Sequence, residues 1–315
     1  MIDVNKNLKD TTIFVMSFIF GFIIHLYPLT HKVPAFSVLL AIIFLSISNV
    51  FLLKTIKIEN NILKFIAIFS SMVSPALVDT MYFPQAVHIY SFSILLITFG
   101  CYLIEIKDMR LLGGFCLIFA ISIYQAYISY MIALFLIYYI QISLDETILV
   151  VVKKILRDAI LVILCFLIYL YIHKIVNVSL YDGYVFQMHG MGNGELMQNY
   201  TAENIIDCIK QAYKYFFSLA SDENVFFFNN TLYVKKLWLA CFTIAFFALL
   251  CITKKILTLI LVSFLPLFIN FIFIMTVGNI ELSEARVVYS YVLVFVFFTF
   301  IVDRVSSFSL FKKII

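Results

Sequence analysis

Apolar residues gather along this chain into runs of about 18 or more, each long enough to cross a hydrocarbon core of about 30 Å as a helix. In lipid the backbone must satisfy its own polar groups, so runs of this kind imply transmembrane helices and an all-α polytopic membrane protein. Composition agrees, with 64% of residues hydrophobic and only 13% charged. No Gly/Ser/Pro linker divides the chain, so residues 1–315 read as one transmembrane domain. The bilayer is the first expected partner, and nucleic acid is not among them. The six cysteines form no C-x-x-C pair and imply neither a disulfide framework nor a zinc site.

Apolar segments fall at roughly 12–29, 34–53, 63–79, 87–104, 111–142, 157–174, 235–252, 256–276 and 287–303. A continuous helix over 111–142 would be about 48 Å long, well beyond the bilayer core, so a steep tilt or two short helices is required. Charge chooses between them. If the chain turns back near Tyr124-Gln125-Ala126-Tyr127, about ten spans result. One set of loops then holds Lys6, Lys9, Lys54, Lys57, Lys64, Lys107, Arg110, Lys153, Lys154, Arg157, Lys254, Lys255, Arg304, Lys312 and Lys313. The positive-inside rule makes that side cytoplasmic, with both termini on it. The opposite side carries Lys32, Arg286 and a long loop at about 175–234. Within that loop residues 181–195 are polar and glycine-rich. Farther on, Ile205, Ile209, Tyr213, Phe216 and Ala220 share one helical face, which predicts an amphipathic helix lying flat on the outer surface. Trp238 is expected as an interface anchor.

Three polar groups sit at outside span ends: Asp79 to His88, Tyr124 to Tyr127, and Glu281 to Arg286. A carboxylate placed there can act as a general base on an acceptor hydroxyl, which makes Asp79, Glu281 and Glu284 the candidate catalytic residues. Arg286 offers a bidentate fork for a phosphate, and Lys32 a point charge. Taken singly, each is better explained by a helix end meeting water or an arginine reaching lipid headgroups, and only their convergence on one face raises the functional reading. Soluble-enzyme motifs fail: Gly190-Met-Gly-Asn-Gly194 lacks the preceding strand and the Lys-Ser/Thr of a phosphate loop. His189 with Asp182 or Glu195 is too sparse for a metal site. No metal ligand set and no cofactor is identified, and dependence on a divalent cation is left open.

The run Ser122-Ile-Tyr124-Gln125-Ala126-Tyr127-Ile128 resembles the signature of GtrII-like glucosyltransferases, bacterial membrane proteins that decorate O antigens and related glycans. Met81-Tyr82-Phe83 followed by Tyr90 is similar to that family's aromatic turn, and Arg286-Val-Val-Tyr289 to its late Arg-plus-aromatic segment. The resemblance implies a GT-C-like fold in the bacterial inner membrane. It also implies transfer of a glucosyl or hexosyl group from a polyprenyl-phosphate carrier to a surface polysaccharide at the extracytoplasmic face. Tyr82, Tyr124, Gln125, Tyr127, Arg286 and Lys32 would then bind substrate. In one respect the chain departs from the family, whose catalytic carboxylates sit in a sizeable first outer loop. Here that loop is about Thr30-His-Lys-Val-Pro34 and holds no acid, so the expectation is an N-terminal truncation, with an inactive product if so. The competing readings are a polysaccharide repeat-unit polymerase and a glycolipid flippase or transporter. The last predicts polar residues at the bilayer midplane.

Overall fold

The computed structural model of the chain describes residues 35–74, 77, 86–180, 201–217, 231–271, 274 and 289–307, and every regular element among these is helical. In order they are α1 (Ala35–Thr55), α2 (Asn61–Met72), α3 (Val87–Glu105), α4 (Arg110–Ile123), a 3-10 turn (Gln125–Tyr127), α5 (Ile128–Asp145) and α6 (Ile148–Leu180). There follow α7 (Ala202–Phe217), α8 (Thr231–Ile252), α9 (Ile256–Ser263), α10 (Leu265–Ile269) and α11 (Val292–Ser307). Among the described residues, five stretches are long and apolar enough to cross a membrane: 36–55, 87–105, 125–145, 148–176 and 289–306. Shorter apolar helices cover 61–72 and 256–269, where longer spans were expected, and 110–123, the first of the two short helices expected over 111–142.

The segment 111–142 is not one helix. Tyr124 leaves α4 in an extended conformation, with φ −151° and ψ 103°, before the 3-10 turn opens α5. Both ends of the segment return to the same side of the bundle. Gly113, near the start of α4, packs on Ile104 and Gly100, while the Tyr138 hydroxyl in α5 donates to the Glu105 carbonyl at 3.3 Å. The chain therefore reverses at residues 124–127. No glycine or proline breaks the helix there, so tertiary contacts hold the break.

One end of the bundle gathers the charged side chains. The Lys57 amide donates to Gln141 Oε1 at 2.8 Å, and the Glu59 and Asn60 amides donate to the Asp303 carboxylate at 2.7 and 3.0 Å. Asn60 in turn caps α2, accepting from the amides of Ile62 and Leu63. Arg304 pairs with Asp145 at 2.8 Å, and Lys255 donates to the carbonyls of Leu144 and Glu146. Deeper in, the Lys154 ammonium lies 2.7 Å from the Glu105 carboxylate, whose side chain is fully buried. It also donates to the Tyr138 hydroxyl at 2.9 Å. Beside it Asp158, 1% exposed, accepts from Tyr139 and pairs with Arg157 at 3.0 Å. Loops that the charge pattern assigned to one side are thus brought together by direct contacts.

Close packing of α3 on α4 rests on two glycines. A Cβ at Gly113 would stand 2.5 Å from Ile104 Cγ1 and 2.8 Å from the Gly100 carbonyl oxygen, so only glycine permits this approach. Helix α6 occupies the outside of the bundle. Only 11% of its apolar window is buried, against 83% for the stretch 125–145, and its side chains Leu149, Ile160, Ile163 and Leu167 face outward.

Two expectations are corrected. Trp238 is not an interface anchor: it is 3% exposed and packs at 4.6 Å on Tyr291. Helix α7 forms as expected, but it docks on protein through Cys208, Ala212 and Phe216. Ile205, Ile209 and Tyr213 lie at the edge of this buried face, half-exposed.

Candidate functional site

Three helices that rise from the charged end stop short. α2 has 12 residues and α4 has 14, and the pair α9–α10 covers 256–269, giving rises of about 18 to 21 Å against a hydrocarbon core of about 30 Å. By rise alone all three are shorter than such a core, and their tips lie at the end of the bundle away from the charged end.

A turn at Tyr289-Ser290-Tyr291, leading into α11, binds all three tips. The Tyr289 hydroxyl donates to the Ser71 carbonyl at the tip of α2 at 3.4 Å, and its ring stands 5.8 Å from Tyr127 beyond the tip of α4. Ser290 Oγ donates to the Ile269 carbonyl, the last residue of α10, at 2.7 Å. The Tyr291 hydroxyl donates to Asn270 Oδ1 at 3.0 Å, and Asn270 Nδ2 donates to the Ala212 carbonyl of α7 at 3.0 Å. One hydrogen-bonded line thus runs from α2 across the turn to α7. Ala126, Ala212 and Leu267 pack beside it.

Tyrosine rings surround this junction. Tyr90, in the second turn of α3, lies 4.7 Å from Tyr124. Tyr124 lies 4.7 Å from Tyr127, and Tyr130 lies 5.3 Å from Tyr289. The Gln125 side-chain amide donates to the Tyr169 hydroxyl of α6. Tyr127, Tyr130 and Tyr289 are buried and pack on one another, while Tyr90 and Tyr124 keep part of their surface open. On α7, burial raises the Tyr213 phenol, and burial followed by the neighbouring Tyr291 raises that of Tyr215, so both stay neutral hydroxyls at ordinary pH. Among the described residues no three His, Cys, Asp or Glu side chains gather closely enough to hold a metal ion.

Of the residues singled out from the sequence, Tyr124, Gln125 and Tyr127 are brought together here. Tyr90 and Tyr289, which closed two of the resembling segments, join them. Lys32, Asp79, Tyr82, Glu281, Glu284 and Arg286 lie outside the described residues. Sequence reasoning missed Ser71, Tyr130, Tyr169 and Asn270. Asn270 carried a usable signal, as a lone amide inside the apolar run 256–276.

Residues 14–301 match the sequence profile of a protein family described as Glucosyl transferase GtrII. No curated protein and no solved structure matches the chain.

Proposed function

Because the chain belongs to the GtrII glucosyltransferase family, we propose that it moves a glucosyl group from a polyprenyl-phosphate carrier to a surface polysaccharide such as O antigen. The reaction would take place at the extracytoplasmic face of the bacterial inner membrane. The observation that carries this reading is the meeting of Tyr90, Tyr124, Tyr127 and Tyr289, from three separated segments, at the end of the bundle away from the charged loops. The positive-inside rule makes the charged end cytoplasmic, which turns the helix tips toward the outside. Residues 1–315 then form one transmembrane domain of about ten spans with a GT-C-like plan and both termini cytoplasmic.

Chain connectivity supports the candidate residues. Asp79 and Tyr82 fall between Ser74, just past the tip of α2, and Ala86; Glu281, Glu284 and Arg286 fall between Phe271, just past α10, and Tyr289. In the proposed reaction an acceptor hydroxyl attacks the anomeric carbon of the donor sugar. The bond from that carbon to the phosphate oxygen breaks, and polyprenyl phosphate leaves with the electron pair. One of Asp79, Glu281 and Glu284 takes the hydroxyl proton. Arg286, with Lys32, binds the phosphate, and Tyr82, Tyr124, Gln125 and Tyr127 hold the sugar.

The test is transfer by the purified chain in nanodiscs, supplied with radiolabelled polyprenyl-phosphate glucose and a lipopolysaccharide acceptor. Substituting the proton acceptor, through Asp79→Asn, Glu281→Gln or Glu284→Gln, should slow transfer by about 10²–10⁴-fold. Absence of transfer from any polyprenyl-phosphate hexose overturns the reading, as does equal transfer from a nucleotide sugar. Donor binding should fall with Arg286→Ala and be partly kept in Arg286→Lys, which retains the charge without the fork.

A further inference from the structure

Helices α1 and α3 run side by side toward the charged end of the bundle. Their buried seam is closed by Ser48 and Thr98, whose hydroxyls share a hydrogen bond at 3.0 Å. On its outer edge the seam carries a file of aromatic rings. Phe44 meets Phe92 at 5.1 Å, Phe51 meets Phe99 at 4.7 Å, and Phe51 meets Tyr102 at 5.3 Å. Phe92 is 37% exposed, and the other four rings keep part of their surface open. By helical spacing Phe92, Phe99 and Tyr102 fall within one face of α3, as Phe44 and Phe51 do on α1.

The file ends in positive charge. Lys54, in the last turn of α1, sets its ammonium 6.0 Å from the Phe51 ring and 5.8 Å from the Tyr102 ring. Lys107, just past α3, sets its own 5.9 Å from the same Tyr102 ring. Two ammoniums gathered on one ring repel each other, and an anion bound between them removes that cost. The acids beside Lys107 in the chain are engaged elsewhere: Asp108 pairs with Arg110 at 2.7 Å, and Glu105 with Lys154 at 2.7 Å. From Phe92 to Tyr102 the file runs about 15 Å along α3, half of a hydrocarbon core of about 30 Å. Cations at one end, with half a bilayer of ring faces behind them, match one phospholipid of the leaflet at the charged end. Its phosphate would meet the lysines and an acyl chain the rings.

We propose that Lys54 and Lys107, with the ring file between α1 and α3, hold the head group and one chain of an anionic phospholipid. The head-group end lies away from the tyrosine junction, and the site does not depend on the reaction assigned to that junction.

The experiment uses the full chain purified in detergent and titrated with phosphatidylglycerol or with phosphatidylcholine of the same chains, bound lipid being counted by native mass spectrometry. Wild type should hold phosphatidylglycerol about tenfold more tightly, and the difference should shrink as salt is raised. Lys54→Ala/Lys107→Ala should bind the two lipids alike, whereas Lys54→Arg/Lys107→Arg, which keeps both charges, should hold the preference. Lys57→Ala/Lys153→Ala removes two exposed lysines of the same end and should leave the preference unchanged. Equal binding of both lipids by wild type overturns the proposal, as does a preference that survives Lys54→Ala/Lys107→Ala. An equal loss in Lys57→Ala/Lys153→Ala overturns it too, because the attraction would then belong to the basic surface as a whole.

Discussion

Tyr289 meets Tyr127 ring to ring at 5.8 Å while its hydroxyl donates to the Ser71 carbonyl at 3.4 Å, so one side chain joins the tip of α2 to the break between α4 and α5. The two functions of the side chain can be separated. Tyr289→Phe loses one long hydrogen bond and should cost about 0.5–1.5 kcal/mol. Tyr289→Ala leaves a cavity at a site 2% exposed and should cost about 3–5 kcal/mol. Denaturant titration in detergent would separate these values, and transfer should survive in the first variant and collapse in the second.

Asn270 is used on both sides of its amide: Oδ1 accepts from Tyr291 and Nδ2 donates to the Ala212 carbonyl. Asn270→Asp keeps the acceptor but turns the donor into an oxygen facing a carbonyl, at a position 0% exposed. It should destabilise more than Asn270→Ala, which costs about 1–3 kcal/mol through unpaired partners. Melting curves of the two variants check the order. Equal stability would mean that the bond to α7 contributes nothing.

Adjacent glycines in α4 make a controlled comparison. Gly113→Ala drives a methyl into Ile104 and the Gly100 carbonyl, and should cost about 1–3 kcal/mol. At Gly114 the new methyl would find Cys165 Sγ at 3.4 Å and Leu161 at 3.5 Å, ordinary contact distances. Gly114→Ala should therefore be neutral, or stabilising by up to about 1 kcal/mol from helix propensity. Unfolding midpoints measured side by side decide it.

At the charged end, Lys154→Met leaves the Glu105 carboxylate buried without its counter-ion and should cost about 3–5 kcal/mol. The double variant Glu105→Leu/Lys154→Met removes both charges and should recover most of that loss. A double-mutant cycle on thermal unfolding reads the recovery directly. An additive cycle would show that the two side chains do not interact.

Lengths and charges were enough to place the reversal at residues 124–127. A run of that length must tilt steeply or turn back, and only the turn puts Lys107 and Arg110 on one side with Lys153 and Lys154. What hydropathy does not separate is protein from lipid, since both are apolar. Hence Trp238 and the Cys208–Ala212–Phe216 face of α7 pack inward, where the pattern alone pointed to the membrane surface. Glu105 and Asp158 escaped notice because each stands beside basic loops where an acid looks solvated. Glu105 finds its partner Lys154 only when α6 folds back against α3 and α4. The short helices were hidden as well. The apolar runs 63–79 and 256–276 continue past the points where α2 and α10 end, so hydropathy gave full spans where the helical stretches stop at Met72 and Ile269.

Three consecutive residues, 289–291, hold the ends of α2, the 124–127 break and α10, with α7 joined through Asn270. Elements far apart in sequence therefore meet on one turn, and a shift of that turn reaches all of them. Amide exchange at the tips of α2 and α10 should accordingly proceed with one common free energy. A ligand held at any one of these tips should slow exchange at the others as well.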